Sequence, residues 1–127
     1  MIELMVVIAI IGLLVTIVVP RVTDALDQGR KTSAWASAKG LHAGLERYYF
    51  DNDEYPGTVG VDVTTYAAFR TLVQDYVDLP ADSGDAPFIF VNYKHTDDDP
   101  EDYELEIESK DRSHQGILIT PDGVRED

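Results

Sequence analysis

The densest group of potential metal ligands is Asp97-Asp98-Asp99-Pro100-Glu101-Asp102. Carboxylate oxygens on a flexible loop are what calcium prefers, so Asp97, Asp98, Asp99 and Asp102 are the calcium candidates. Their spacing departs from the EF-hand loop, because no glycine follows at the required place and no glutamate closes the loop. Runs of like charge are usually solvated, and the expectation is a hydrated acidic loop with no metal and no cofactor. His42, His95 and His114 are scattered, and no pair has metal-ligand spacing on a helix. Ser109 and Ser113 lie near His114, but no strand-to-helix nucleophile turn surrounds them. There is no glycine-rich phosphate loop. With no cysteine there is no thiol nucleophile and no disulfide. The sequence predicts no enzyme.

One carboxylate stands apart. Glu3 is the only ionisable side chain before Arg21, in the stretch MIELMVVIAIIGLLVTIVVP. That stretch matches the roughly 17–25 residues a helix needs to cross a bilayer. It lacks the basic front and small-residue cleavage site of a removable secretory signal. A carboxylate is costly within a membrane and marks a functional position there, although negative charge is favoured at a helix N-terminus. Gly12 weakens a helix by up to about 1 kcal/mol relative to Ala. Pro20 removes a backbone donor and kinks or ends a helix.

Ile2-Glu3-Leu4-Met5-Val6-Val7-Ile8-Ala9-Ile10-Ile11-Gly12 followed by Pro20 closely resembles the mature N-terminus of type IV pilins and of type II secretion pseudopilins. The resemblance covers residues 1–20 closely and extends to about residue 56, where Tyr55-Pro56 also fits the pattern. It implies a subunit held by a single pass in the inner (cytoplasmic) membrane, cleaved by a prepilin peptidase, often N-methylated, and passed by pilus or secretion machinery into a surface filament. By the same resemblance, Glu3, Gly12 and Pro20 are the assembly residues. Glu3 would pair with the N-terminal amine of a neighbour, which selects register more than it adds stability. The segment from Gly12 to Pro20 would melt during assembly and lend the filament stretch. The family's basic leader, cleavage-site glycine and two further residues, commonly Phe-Thr, do not precede Met1, which is therefore expected to be an internal start or a trimmed end.

These residues need an element to carry them. The chain has room for one domain plus an anchor: residues 1–22 as the apolar segment and 23–127 as the head, with 23–50 continuing the helix. In that continuation Leu26, Ala34, Ala38, Leu41, Leu45 and Tyr48 form one helical stripe. Residues 49–57 read as a helix stop, with Asn52 as the left-handed cap. Residues 64–79 predict a short helix, capped by Thr64 or Thr65 and closed by Pro80. Phe88–Tyr93 predicts a strand buried on both faces, residues 103–108 an alternating half-exposed strand, and Gly116–Thr120 a third, followed by a turn at Pro121-Asp122-Gly123. The expected fold is α+β: a long helix, apolar in its first half and striped in its second, packed on a three-stranded antiparallel sheet with one short helix.

Charge narrows the partners. Residues 1–50 carry four acids and five bases, whereas residues 51–127 carry twenty acids and five bases. So acidic a head argues against nucleic acid and against docking on anionic lipid. The leading expectation is a structural subunit of a type IV pilus-like filament, a helical homopolymer whose core is the apolar helix. The small head with few insertions favours a major pilin, and a type II secretion pseudopilin is the alternative. A rival of another class is a single-pass anchored surface protein whose acidic head captures calcium or a cationic partner.

Overall fold

The computed structural model describes residues 1–127. Helix α1 runs from Ile2 to Asn52 without a break, a rod of about 75 Å at 1.5 Å per residue. Its two halves have different surroundings. Every residue from Met1 to Val22 is exposed, whereas Ala34, Ala38, Leu41, Gly44 and Leu45 are buried under the head. The stripe predicted on α1 thus starts later than expected, with Leu26 left 57% exposed, because the sheet stops short of that turn. The helix ends two residues past position 50, and the left-handed cap falls on Asp53 instead of Asn52: Asp53 has φ 60° and its N–H donates to Tyr49 O at 2.7 Å. The Asn52 side-chain amide donates instead to Tyr48 O.

Strands β1 (Phe88–Lys94), β2 (Glu104–Ser109), β3 (Gly116–Thr120) and β4 (Gly123–Glu126) form one antiparallel meander in chain order. The expected class holds, but there are four strands and not three. After Pro121-Asp122 the chain turns back, pairing Thr120 with Gly123 and Ile117 with Glu126. Only Val124 of β4 is apolar and packed on the core, so the segment carries little hydrophobic pattern. β2 alternates as predicted, burying Leu105, Ile107 and Ser109. β1 does not sit buried on both faces. It is an edge strand with Phe88 and Tyr93 buried and Val91 exposed. A bulge at Val91 shifts the register between Phe90 and Asn92, which is why inward positions run 88, 90, 93. The extra residue changes the parity of the side chains.

The second helix, α2 (Tyr66–Val73), is shorter than the predicted 64–79. Thr65 caps it, its hydroxyl oxygen accepting from Ala68 N–H at 3.4 Å. Tyr76 and Val77 then leave the helical path to lie on α1, with Tyr76 edge-on to Tyr48 at 5.1 Å. Val77 reaches α1 at Gly44, where a methyl group would sit 2.2 Å from its Cγ2. A glycine is required there by close approach and not by backbone conformation. The core closes with a chain of rings: Tyr49 on Tyr55, Tyr55 on Tyr103, Tyr103 on Tyr93, and Tyr93 on Phe69.

Candidate assembly surface

The apolar half of α1 is long and apolar enough to cross a membrane, and none of it is buried by the rest of the chain. A fully buried Val, Leu or Ile side chain is worth roughly 1.5–3 kcal/mol relative to an exposed one. In water this segment would therefore be strongly unfavourable, and it calls for lipid or other copies. Even its one hydroxyl is turned inward: Thr16 Oγ1 donates to Leu13 O at 2.6 Å. That bond leaves no free side-chain donor to face an apolar medium.

Glu3 occupies the first turn of α1 and makes no side-chain cap; none of the ion pairs within the chain involves it. Its position suits the positive end of the helix dipole. Gly12 stands in open space with nothing within 4 Å of where a Cβ would be. Pro20 lies inside α1, so the Thr16 carbonyl loses its usual helical donor. One turn on, Thr23 Oγ1 donates to Val19 O at 3.1 Å. In the single subunit the segment from Gly12 to Pro20 is helical throughout. Glu3, Gly12 and Pro20 are thus strung along one rod and not gathered at one point.

The acidic cluster lies at the far end of the head. Asp97, Asp98 and Asp99 are exposed and Asp102 is half-buried. Asp97 and Asp98 take left-handed backbone, at φ 53° and 56°. The side chains of Asp99 and Asp102 are used within the loop, accepting from the N–H groups of Glu101 and Tyr103 at 2.9 and 2.8 Å. No three His, Asp or Glu side chains converge to hold a metal ion. His95 is buried beside this loop, with Nδ1 3.2 Å from Asp99 O and Nε2 3.1 Å from Pro56 O. It ties the loop after α1 to the loop after β1.

Serine hydroxyls near His114 are also committed. Ser109 and Ser113 both donate to the Asp111 carboxylate, while Ser109 Oγ accepts from Gln115 N–H. These bonds, that from Ser109 first, hold the Asp111 carboxyl below the usual carboxylate range. The arrangement closes the β2–β3 loop and presents no nucleophile to a base. Tyr55 donates to Glu46 Oε1 at 2.8 Å; burial, then that carboxylate, pushes its phenol well above the ordinary tyrosine value. Burial does the same to Tyr93 and Tyr103.

Sequence reasoning passed over Phe50, which is 85% exposed at the head end of α1. Its position was available from period alone: nine residues past Leu41 at 100° each places it on the opposite side of the helix.

The sequence is similar to "Type II secretion system core protein G" of Pseudomonas aeruginosa, at 43% identity over 58 residues. The match spans 46% of this chain and 41% of that protein, so the chain covers well under half of its relative. No protein-family model matches the chain and no solved structure matches it. The relative supports the resemblance to the pilin and pseudopilin family, and the long exposed apolar helix under an α+β head fits that class.

Proposed function

We propose that this chain is the structural subunit of a pilus-like filament, anchored by α1 in the membrane and then packed by it into the filament core. The observation that carries the reading is the wholly unburied apolar half of α1, continuous with a head that buries its own core. Lipid and a bundle of copies cover that half equally well in hydrophobic terms, so moving from one to the other depends on side-chain packing and polar contacts. Glu3 supplies the polar contact, facing the amino terminus of a neighbour. Gly12 and Pro20 mark where the helix yields during the move. Partners on this reading are other copies, a bilayer before assembly, and the membrane machinery that extracts the subunit. The chain has no catalytic part in it.

The test is Glu3→Ala in cells that make the protein, with sheared surface filaments collected and counted. Filament yield is expected to fall at least tenfold while the protein stays in the membrane with a folded head. Unchanged yield sinks the reading in favour of an anchored surface protein, and no filament from the parent chain sinks it in favour of either that protein or a secretion pseudopilin. A second reading, a type II secretion pseudopilin, is favoured by the named relative. It predicts that removing the protein abolishes secretion of exported enzymes, while long filaments appear only on overproduction.

A further inference from the structure

Outside the apolar half of α1, no large apolar side chain is as exposed as Phe50. Three exposed carboxylates follow it, Asp51, Asp53 and Glu54. Tyr55 N–H donates to Pro100 O at 2.9 Å, which places the exposed acids Asp97, Asp98, Asp99 and Glu101 at the same end of the head. The one nearby base on α1, Arg47, lies over the Tyr76 ring, 5.8 Å from its centre. This end carries an apolar knob together with several exposed carboxylates.

At the opposite end of the head lies a groove of about 370 Å³, lined by Ala25, Leu26, Gly29, Arg30, Pro87 and Lys110 among others. Acids outnumber bases 24 to 10 in the chain, yet no carboxylate lines this groove. Three acids adjoin lining residues in sequence, Asp24, Asp27 and Asp111; Asp27 is shared between Arg112 at 3.2 Å and Arg30 at 4.0 Å, and Asp111 is held by Ser109 and Ser113. Lys110 Nζ donates to Gly84 O at 2.9 Å, which pins its ammonium at the rim. An apolar floor with two cations is the complement of an apolar knob with carboxylates.

We propose that these two ends mate: Phe50 of one copy seats on Leu26 in the groove of a second copy, with Asp51 and Glu54 against Arg30 and Lys110. The contact rests on the filament reading above and deepens it. An apolar centre inside a charged rim is the usual make-up of a specific interface, and a central aromatic is the commonest anchor. Between copies whose helices run parallel, knob and groove go to different neighbours, so the contact passes from copy to copy and is not exchanged within one pair. Positions 26 and 50 are 24 residues apart on one helix, which sets an axial offset of about 36 Å between copies whose helices run parallel. Opposite charges are brought together across that step, so heads that repel one another elsewhere attract at this seam.

The chain has no cysteine, which permits a direct test in the full-length protein. Filaments of the Leu26→Cys, Phe50→Cys double variant, oxidised and run without reductant, are expected to give a ladder of dimers, trimers and longer species. Each single-cysteine variant should give no ladder. In parallel, Arg30→Glu with Lys110→Glu should cut filament yield at least tenfold. Adding Asp51→Lys and Glu54→Lys to the same chain should restore it to within about threefold. Filaments that form without a ladder and without loss on charge reversal overturn this contact and leave the filament reading standing. A parent chain that makes no filament overturns both.

Discussion

The two halves of α1 share one hydrogen-bonded backbone but complete themselves in different ways. From Ala34 onward the helix finds its apolar partners inside the chain, in α2, the sheet and the tyrosine cluster. From Met1 to Val22 it finds none. The upper half therefore answers to the stability of the head, and the lower half to whatever surrounds the molecule. The same residue type carries opposite meaning in the two places: Leu41 is core, and Leu14 is an unfilled contact.

Substitutions can break that contrast. The largest effect expected is from Leu41→Ala, which should destabilise the head by about 3 kcal/mol, read by urea unfolding of the detergent-solubilised chain. Ile11→Ala should leave the same midpoint within about 0.5 kcal/mol. Equal effects at both sites would erase the distinction between the halves. Glycine sharpens it further. Gly44→Ala should cost about 2 kcal/mol, because its methyl meets Val77. Gly12→Ala, in open space, should leave the head untouched and strengthen the lower helix by up to about 1 kcal/mol; helicity by circular dichroism would read this.

Smaller effects concern the ring cluster that fixes the head on the upper helix. Tyr55→Phe removes the bond to Glu46 and should cost about 1 kcal/mol. The same cluster sets an alkaline limit. Tyr55, Tyr93 and Tyr103 have phenols raised chiefly by burial. Above the ordinary tyrosine value of about 10 the unfolded chain sheds protons that the fold retains. Stability should therefore fall as pH rises from about 10, with thermal midpoints dropping more steeply in the parent than in Tyr55→Phe. Asp111 works in the other direction. Its carboxyl is lowered, so its contribution is present above the usual carboxylate range of about 3.9 and is lost as pH falls below it. In Asp111→Asn that acid-limb slope should flatten while the alkaline limb stays.

Much of this was legible because period and composition carried it. The apolar N-terminal stretch with its single carboxylate follows from composition, and the buried positions Ala34, Ala38, Leu41 and Leu45 and the alternation of β2 follow from spacing. The misses have local causes. β4 holds one packed apolar residue, too few for any pattern. The bulge at Val91 made β1 look like a continuous apolar run, when one extra residue was switching faces. Leu26 kept the helical stripe, but a stripe cannot say where the covering sheet ends. The proposed assembly residues stand out by likeness and by chemistry together: a lone carboxylate, a glycine and a proline in an apolar helix. Phe50 was passed over although period places it opposite the buried stripe, and the groove at Leu26 was not readable, since it gains its sense only from what the fold leaves bare beside it.

The strand that escaped the sequence has a consequence for life in a crowd. β4 is the last strand of the sheet, with its outer backbone groups unpaired, and an open edge is a template for strand-to-strand aggregation. Subunits drawn to a membrane or stacked along a fibre sit at very high local concentration, where such an edge is most dangerous. Here it is four residues long and carries Arg125 and Glu126, with Asp127 just beyond. On the filament reading proposed above, copies that polymerise through the helix carry charge on the sheet edge, which works against polymerisation through the sheet.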